Sequence, residues 1–204
     1  MKKVLTIAGS DSCGGAGIQA DLKTFSAHGV YGMSVITAVT AQNTQGVFAV
    51  QDIFRDVIAQ QIEAIFDDIE VDGVKIGMVS QVQSIEAIAE KLRYYAPQTI
   101  VVDPVMVSKS GYHLLNPEAE VTLMKELLPL ARLVTPNIPE AEVMTKRSIH
   151  TLEQMEEAAG IIHQLGAKNV LLKGGHLEGD SIDVLYDGRE FSYFSSPICS
   201  YDLS

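Results

Sequence analysis

Short apolar runs alternate along this chain with segments whose apolar residues recur every three or four positions. Residues 4–8, 32–39, 73–76, 99–102, 133–135 and 169–172 are strand-like runs. Ile100, Val101 and Val102 are apolar in succession, as a strand covered on both faces must be. Between the runs, Phe54, Val57, Ile58, Ile62, Ile65, Phe66 and Ile69 predict one apolar face of a helix. Ile85, Ile88, Ala89, Leu92 and Tyr95 repeat that spacing, with Ser80 and Gln83 placed as a capping box. Thr151 and Gln154 form the same signature before Met155, Ile161, Ile162 and Leu165, and Gly166 closes that helix. Asp187-Gly188 marks a hairpin between two further strands. Strand and helix in alternation predict an α/β fold: a doubly wound, mostly parallel central sheet with helices on both faces.

The first run breaks into a loop holding Gly9, Gly14, Gly15 and Gly17, and a helical pattern opens near Ile18. Strand, glycine loop and helix bring backbone N–H groups close to a small or anionic ligand, and a Cβ would block that approach. The loop is not a Walker A element, because no Gly-Lys-Ser/Thr follows the glycines. Gly15, Gly17 and Ala20 satisfy G-x-G-x-x-A, but a dinucleotide also needs an acid about 20 residues later. No Asp or Glu lies between Asp21 and Asp52, which disfavours a nicotinamide dehydrogenase.

In such sheets ligands bind beyond the carboxyl ends of the strands. Four candidate segments sit there. Gln42, in Thr40-Ala41-Gln42-Asn43-Thr44, can address a heterocycle with an amide or simply close a turn. Asp103-Pro104 supplies a carboxylate or a turn, and Asn137 with Glu140 pairs an amide and an acid or caps a helix. Lys173-Gly174-Gly175-His176 offers a cation beside flexible backbone.

Composition narrows the partners. The 204 residues are 47% hydrophobic, enough for one sizeable core, and the net charge of −11 argues against nucleic acid and anionic membranes. Cys13 and Cys199 stand far apart, giving neither a disulfide framework nor a zinc site, and the histidines show no metal-ligand spacing. With no secretory or membrane-spanning apolar stretch, the expected location is the cytoplasm.

The motifs AGSDSCGGAGIQADLKTF, TAVTAQNTQGV, KIGMV, VDPVM, TPNIPEAE and LLKGGH together resemble the hydroxymethylpyrimidine/phosphomethylpyrimidine kinases of thiamine biosynthesis, a branch of the ribokinase-like superfamily. The resemblance implies ATP and Mg2+ as cofactors and two successive phosphorylations of a pyrimidine. It puts the ring against Gly9, Ala16, Asp21, Gln42, Met78 and Val105. It puts Asp103, Asn137, Glu140 and Lys173 near the triphosphate, with Glu140 toward the metal, and it implies a homodimer for a complete chain. A pyridoxal kinase of the same superfamily and a binding-only remnant are the alternatives. The family also carries a Gly-Thr-Gly-Cys segment whose amides hold the transferred phosphoryl and whose cysteine serves as base. That segment is absent from the sequence, and Cys199 lies among residues that do not match it. The expectation is one ribokinase-like domain over 1–204, incomplete at its C-terminus, lacking helices over one sheet face, slow in turnover and without an identified catalytic residue.

Overall fold

The structure, a computed structural model, describes residues 1–106, 115–175 and 181–196. His113, His176 and Cys199 lie outside them. The described elements are β1 (Lys3–Asp11), α1 (Gly17–Ala27), β2 (Tyr31–Asn43), β3 (Gly46–Asp52), α2 (Arg55–Phe66), β4 (Gly73–Ile76), α3 (Val82–Tyr95) and β5 (Ile100–Val102). There follow α4 (Pro117–Glu126), a 3₁₀ turn (Leu128–Leu130), β6 (Leu133–Val134), α5 (Ile138–Thr145), α6 (Leu152–Gln164), β7 (Val170–Leu172), β8 (Ser181–Tyr186) and β9 (Phe191–Ser196).

The strands form one nine-stranded sheet in the order β3-β2-β1-β4-β5-β6-β7-β8-β9. Pairing is parallel from β2 through β7, while β3, β8 and β9 join antiparallel. The doubly wound, mostly parallel architecture is therefore the one the alternating pattern predicts. Registry fixes which residues share a face. Ile7, Ile76, Val102, Val134 and Val170 form one row across the sheet, all buried. They pack into a core with Ile58 and Ile62 of α2, Ile85 and Ile88 of α3, Leu123 of α4 and Met155 of α6. Thr6, Lys75, Val101 and Leu133 form the opposite row, where α1 lies: Asp21 of α1 reaches both Thr6 and Lys75. Val101 and Leu133 are only half-buried there.

Several local expectations are corrected. The first strand does not break at Ala8 but continues through Gly9 to Asp11, with a register shift against β2 between Ala8 and Ser10. β2 likewise runs through Gln42 to Asn43 and turns into β3, a strand the sequence pattern did not reveal. Val47, Phe48, Ala49 and Val50 of β3 are all exposed, so neither period nor burial marks that strand. Phe54 and Val57 are exposed rather than part of the apolar face of α2. The capping box at Ser80 does not form, because its hydroxyl donates to Asp52 at 2.5 Å and Gln81 takes the N-cap position. The box at Thr151 and Gln154 does form.

Candidate active site at the carboxyl ends of the strands

From β1 the chain crosses to β2 on one side and then returns to β4 on the other, so the order reverses between β1 and β4. The crevice at such a switch point is where doubly wound sheets bind ligands. Gly9 lies among the last residues of β1, two before Asp11, and Gly77-Met78 follows β4; a Cβ built on Gly9 would come within 2.8 Å of Met78 Cε. Met78 thus lies directly over Gly9, held through its carbonyl by the Thr37 hydroxyl at 2.8 Å.

The loop between Asp11 and α1 is drawn tight around one carboxylate. Asp11 accepts from the N–H groups of Cys13 and Gly15 at 2.9 Å and Ala16 at 2.8 Å. Burial pulls the Asp11 pKa up, but the hydrogen bonds from Cys13, Ala16 and Gly15 outweigh it and hold the carboxyl below its ordinary value. Gly17 closes the loop at φ +55°, and a Cβ there would stand 2.3 Å from the Gly9 carbonyl oxygen. Gln42 is stitched to this loop: its N–H donates to Ser12 Oγ at 2.8 Å, and that hydroxyl donates to the Gln42 carbonyl at 2.6 Å. The Thr40 hydroxyl donates to Ser10 O at 3.0 Å and reaches Gln42 Oε1 at 3.3 Å. Gly9, Ala16, Gln42 and Met78 therefore border one place.

The Asp21 carboxylate of α1 accepts from Thr6 Oγ1 at 2.6 Å and Lys75 Nζ at 3.0 Å, and that ammonium comes within 2.8 Å of where a Cβ on Gly77, the neighbour of Met78, would stand.

Further along the same sheet end lies a charged cluster. Asp103, just past β5, accepts from Lys173 Nζ and from Thr135 Oγ1, both at 3.1 Å. Lys173 follows β7 and is bridged to Asn137 in parallel register, its N–H donating to Pro136 O at 2.8 Å. Asn137 and Glu140 form a reciprocal capping box at the start of α5, each bond 2.9 Å. The helix-cap reading of this pair is thus realised. Glu140 is only 3% exposed. Burial, with the charge of Asp103, pushes its carboxyl up to about 7 against the N–H bonds from Asn137 and Met106 and the cation of Lys173. Val105 follows β5 between Asp103 and Met106, half-buried, with its N–H on the Asp103 carbonyl at 2.9 Å.

Gly174 corrects another expectation. Its backbone is not a flexible neighbour of Lys173: it is buried, its N–H donates to Asp183 Oδ1 at 2.9 Å, and a Cβ would strike the Ile182 carbonyl oxygen at 1.9 Å. The residues missed in the sequence are the ones that hold others in place, namely Asp11, Ser12, Thr40 and Thr135. Asp11 carried one usable signal, because an Asp accepting from the N–H two residues on is a common turn device.

Among the described residues, a wide open groove lies at the other end of the sheet, lined by Lys2, Asp72 and Thr99 where β1, β4 and β5 begin. The site is defined by converging polar groups and not by cavity size.

With converging polar groups at the switch point and a cation–carboxylate cluster on the same edge of a ribokinase-like sheet, the chain is, by its relatives, a small-molecule kinase. The chain belongs to the phosphomethylpyrimidine kinase family, which matches residues 11–202. The thiamine biosynthesis bifunctional protein of Geobacter sulfurreducens is 56% identical over 95% of the chain and 40% of its own length. The hydroxymethylpyrimidine/phosphomethylpyrimidine kinase of Rhizobium meliloti is 56% identical over 90% of the chain and 70% of its own. Among solved structures, the phosphomethylpyrimidine kinase of Clostridium difficile superposes with a TM-score of 0.91 at 58% identity, covering 96% of this chain and 85% of that one. The Staphylococcus aureus pyridoxal kinase, solved with AMP-PCP, gives 0.90 at 38% identity, covering 99% and 74%.

Proposed function

We propose that the chain seats 4-amino-5-hydroxymethyl-2-methylpyrimidine at the switch point and transfers phosphate to it from ATP, first to the hydroxymethyl oxygen and then to the resulting monophosphate. The observation that carries this reading is the joint placement, at one sheet end, of the Gly9–Met78–Gln42 seat and the Asp103–Lys173 pair. The Gln42 amide offers a donor and an acceptor, which match the amino group and ring nitrogen of the pyrimidine. Ser12 holds the backbone of that residue and the Thr40 hydroxyl reaches its Oε1. Lys173 is about two-fifths exposed and offsets triphosphate charge, and Asp103 with Thr135 fixes where its ammonium points.

The donor set fits Mg2+: Asp103 and Glu140 are hard oxygen ligands, and this ion takes one or two carboxylates beside phosphate and water. When bound it would neutralise charge on the transferring phosphoryl. The chain's own contribution is alignment, with ring and nucleotide held so that the hydroxymethyl oxygen meets the γ-phosphate in line. We assign no base to the hydroxyl proton, since Asp103 is held by Lys173 and Thr135, and Glu140 by its capping box.

A second reading has one observation behind it, the overall likeness to pyridoxal kinase. We place the chain in the cytoplasm as one domain; no described helix is long and apolar enough to cross a membrane. A homodimer is supported by the exposed Val47, Phe48 and Val50 of edge strand β3. Incubation with MgATP and either the pyrimidine or pyridoxal, followed by mass spectrometry, tests the reading. Pyrimidine monophosphate and then diphosphate support it, phosphorylation of pyridoxal alone overturns it, and a bound but unaltered pyrimidine reduces the chain to a binding protein.

A further inference from the structure

A glycine loop running into a helix normally offers its backbone donors and the positive helix end to an anion. Here those groups are already taken. The N–H groups of Cys13, Gly15 and Ala16 all point at the Asp11 carboxylate at 2.8–2.9 Å, and Gly14 N–H donates to the Asp11 carbonyl at 3.1 Å. Ala16 is the N-cap of α1 and makes no side-chain cap, and the first turn holds no acid. The negative charge at this helix end is thus Asp11, supplied from the preceding strand. Asp11 is 3% exposed and braced from behind, its own N–H donating to Gln19 Oε1 at 2.8 Å, while Gln19 Nε2 donates to Ser10 Oγ at 2.7 Å.

We propose that Asp11 is the positioning residue of the ring site: its carboxylate fills the anion-binding concavity of the glycine loop, shaping it as a seat for an uncharged ring and barring phosphate from it. The proposal rests on reading the loop as the pyrimidine seat. A phosphate approaching Gly15 and Ala16 meets a buried charge of its own sign and donors that are already engaged. A neutral ring needs neither. Phosphoryl groups are thereby confined to the Lys173 end, so that a pyrimidine and its monophosphate enter in one orientation, ring first. Ser12, between Asp11 and the Cys13 N–H that Asp11 holds, exchanges two hydrogen bonds with the backbone of Gln42. The G-x-G-x-x-A pattern, which reads as a diphosphate cradle, is closed to phosphate by an Asp four residues ahead of its first glycine.

The test follows the amide resonances of Cys13, Gly15 and Ala16 by NMR while inorganic phosphate is titrated, and measures the pyrimidine and Mg-AMP-PCP by calorimetry. In the unaltered chain the amides stay silent to millimolar phosphate. Asp11→Ala frees the donors, so the Gly15 and Ala16 amides respond saturably to phosphate, pyrimidine affinity falls by about tenfold or more, and nucleotide affinity stays within about twofold. Asp11→Asn keeps one acceptor oxygen and falls between the two. A merely structural role would not create phosphate binding at these amides. Saturable phosphate binding there in the unaltered chain overturns the proposal even if Asp11→Ala does not fold. So does an Asp11→Ala or Asp11→Asn protein that is folded and keeps full pyrimidine affinity. If the unaltered chain binds no pyrimidine yet its amides remain silent, and the variant gains phosphate, the role of Asp11 stands and the pyrimidine reading fails.

Discussion

Replacing Gly17 by Ala inserts one methyl group where the chain has no room for it. The Cβ would lie 2.3 Å from the Gly9 carbonyl oxygen, 3.2 Å from its carbon and 3.4 Å from the Asp11 nitrogen. Real Cβ contacts stay beyond 3.0 Å, and the obstacle here is backbone rather than a side-chain tip, so Gly9 and α1 must part by several tenths of an ångström. Residue 17 also sits at φ +55°, a left-handed conformation that costs a non-glycine residue about 1–2 kcal/mol. Overpacking adds about 1–3 kcal/mol, and the reduced freedom of the unfolded chain returns about 0.4–1 kcal/mol. The expected net loss is about 1–5 kcal/mol, with weakened ring binding because Gly9 borders the proposed seat. Gly160→Ala is the matched control: it lies inside α6 with nothing within 4 Å of the added Cβ, and should stabilise by about 0.5–1 kcal/mol without touching the ligand. Urea unfolding and pyrimidine calorimetry on both variants decide the matter. A Gly17→Ala protein as stable as the parent, with unaltered pyrimidine affinity, would refute the close-approach reasoning.

Glu140 has a carboxyl raised by burial to about 7 in the folded chain against 4.5 unfolded, so the native state holds the extra proton and stability falls as pH rises through that window. Glu140→Gln should flatten this fall, gaining up to about 3 kcal/mol at pH 8 and little at pH 4, as read by unfolding at each pH. Lys173→Met removes the cation we propose to face the triphosphate and should lower turnover by about 10²–10³-fold with folding intact, measured by product formation under saturating pyrimidine. Gly174→Ala drives a Cβ to 1.9 Å from the Ile182 carbonyl oxygen and should unfold or separate β8 from β7; an intact melting transition near that of the parent would contradict it.

How far the sequence discloses this molecule depends on what each residue spends itself on. The parallel strands were legible because residues such as Ile100 and Val102 are buried by helices and sheet neighbours, which demands an unbroken apolar run. β3 was not legible, since an edge strand exposed along its length obeys no inside–outside alternation. Ser80 carried a capping signature, but an acid far away in sequence, Asp52, captured its hydroxyl. The charged cluster could be read from strand-end positions alone, because topology brings the ends of β5, β6 and β7 side by side. The organising role of Asp11 showed only as an Asp in a turn, since its further partners, the N–H groups of Gly15 and Ala16, leave no trace in residue identity. Asp21 shows another limit, a motif residue whose ion pair with Lys75 is set by strand pairing and not by sequence proximity.

The central claim is a division of labour along one sheet edge, with the ring at the Gly9–Gln42 seat and the nucleotide phosphates at Lys173. Calorimetric titration of the pyrimidine and of Mg-AMP-PCP into the parent, Gln42→Leu and Lys173→Met proteins tests it most directly. The account predicts that both ligands bind the parent together, that Gln42→Leu loses the pyrimidine alone and that Lys173→Met loses the nucleotide alone. Mutually exclusive binding in the parent, or variants that lose both ligands alike, would contradict it.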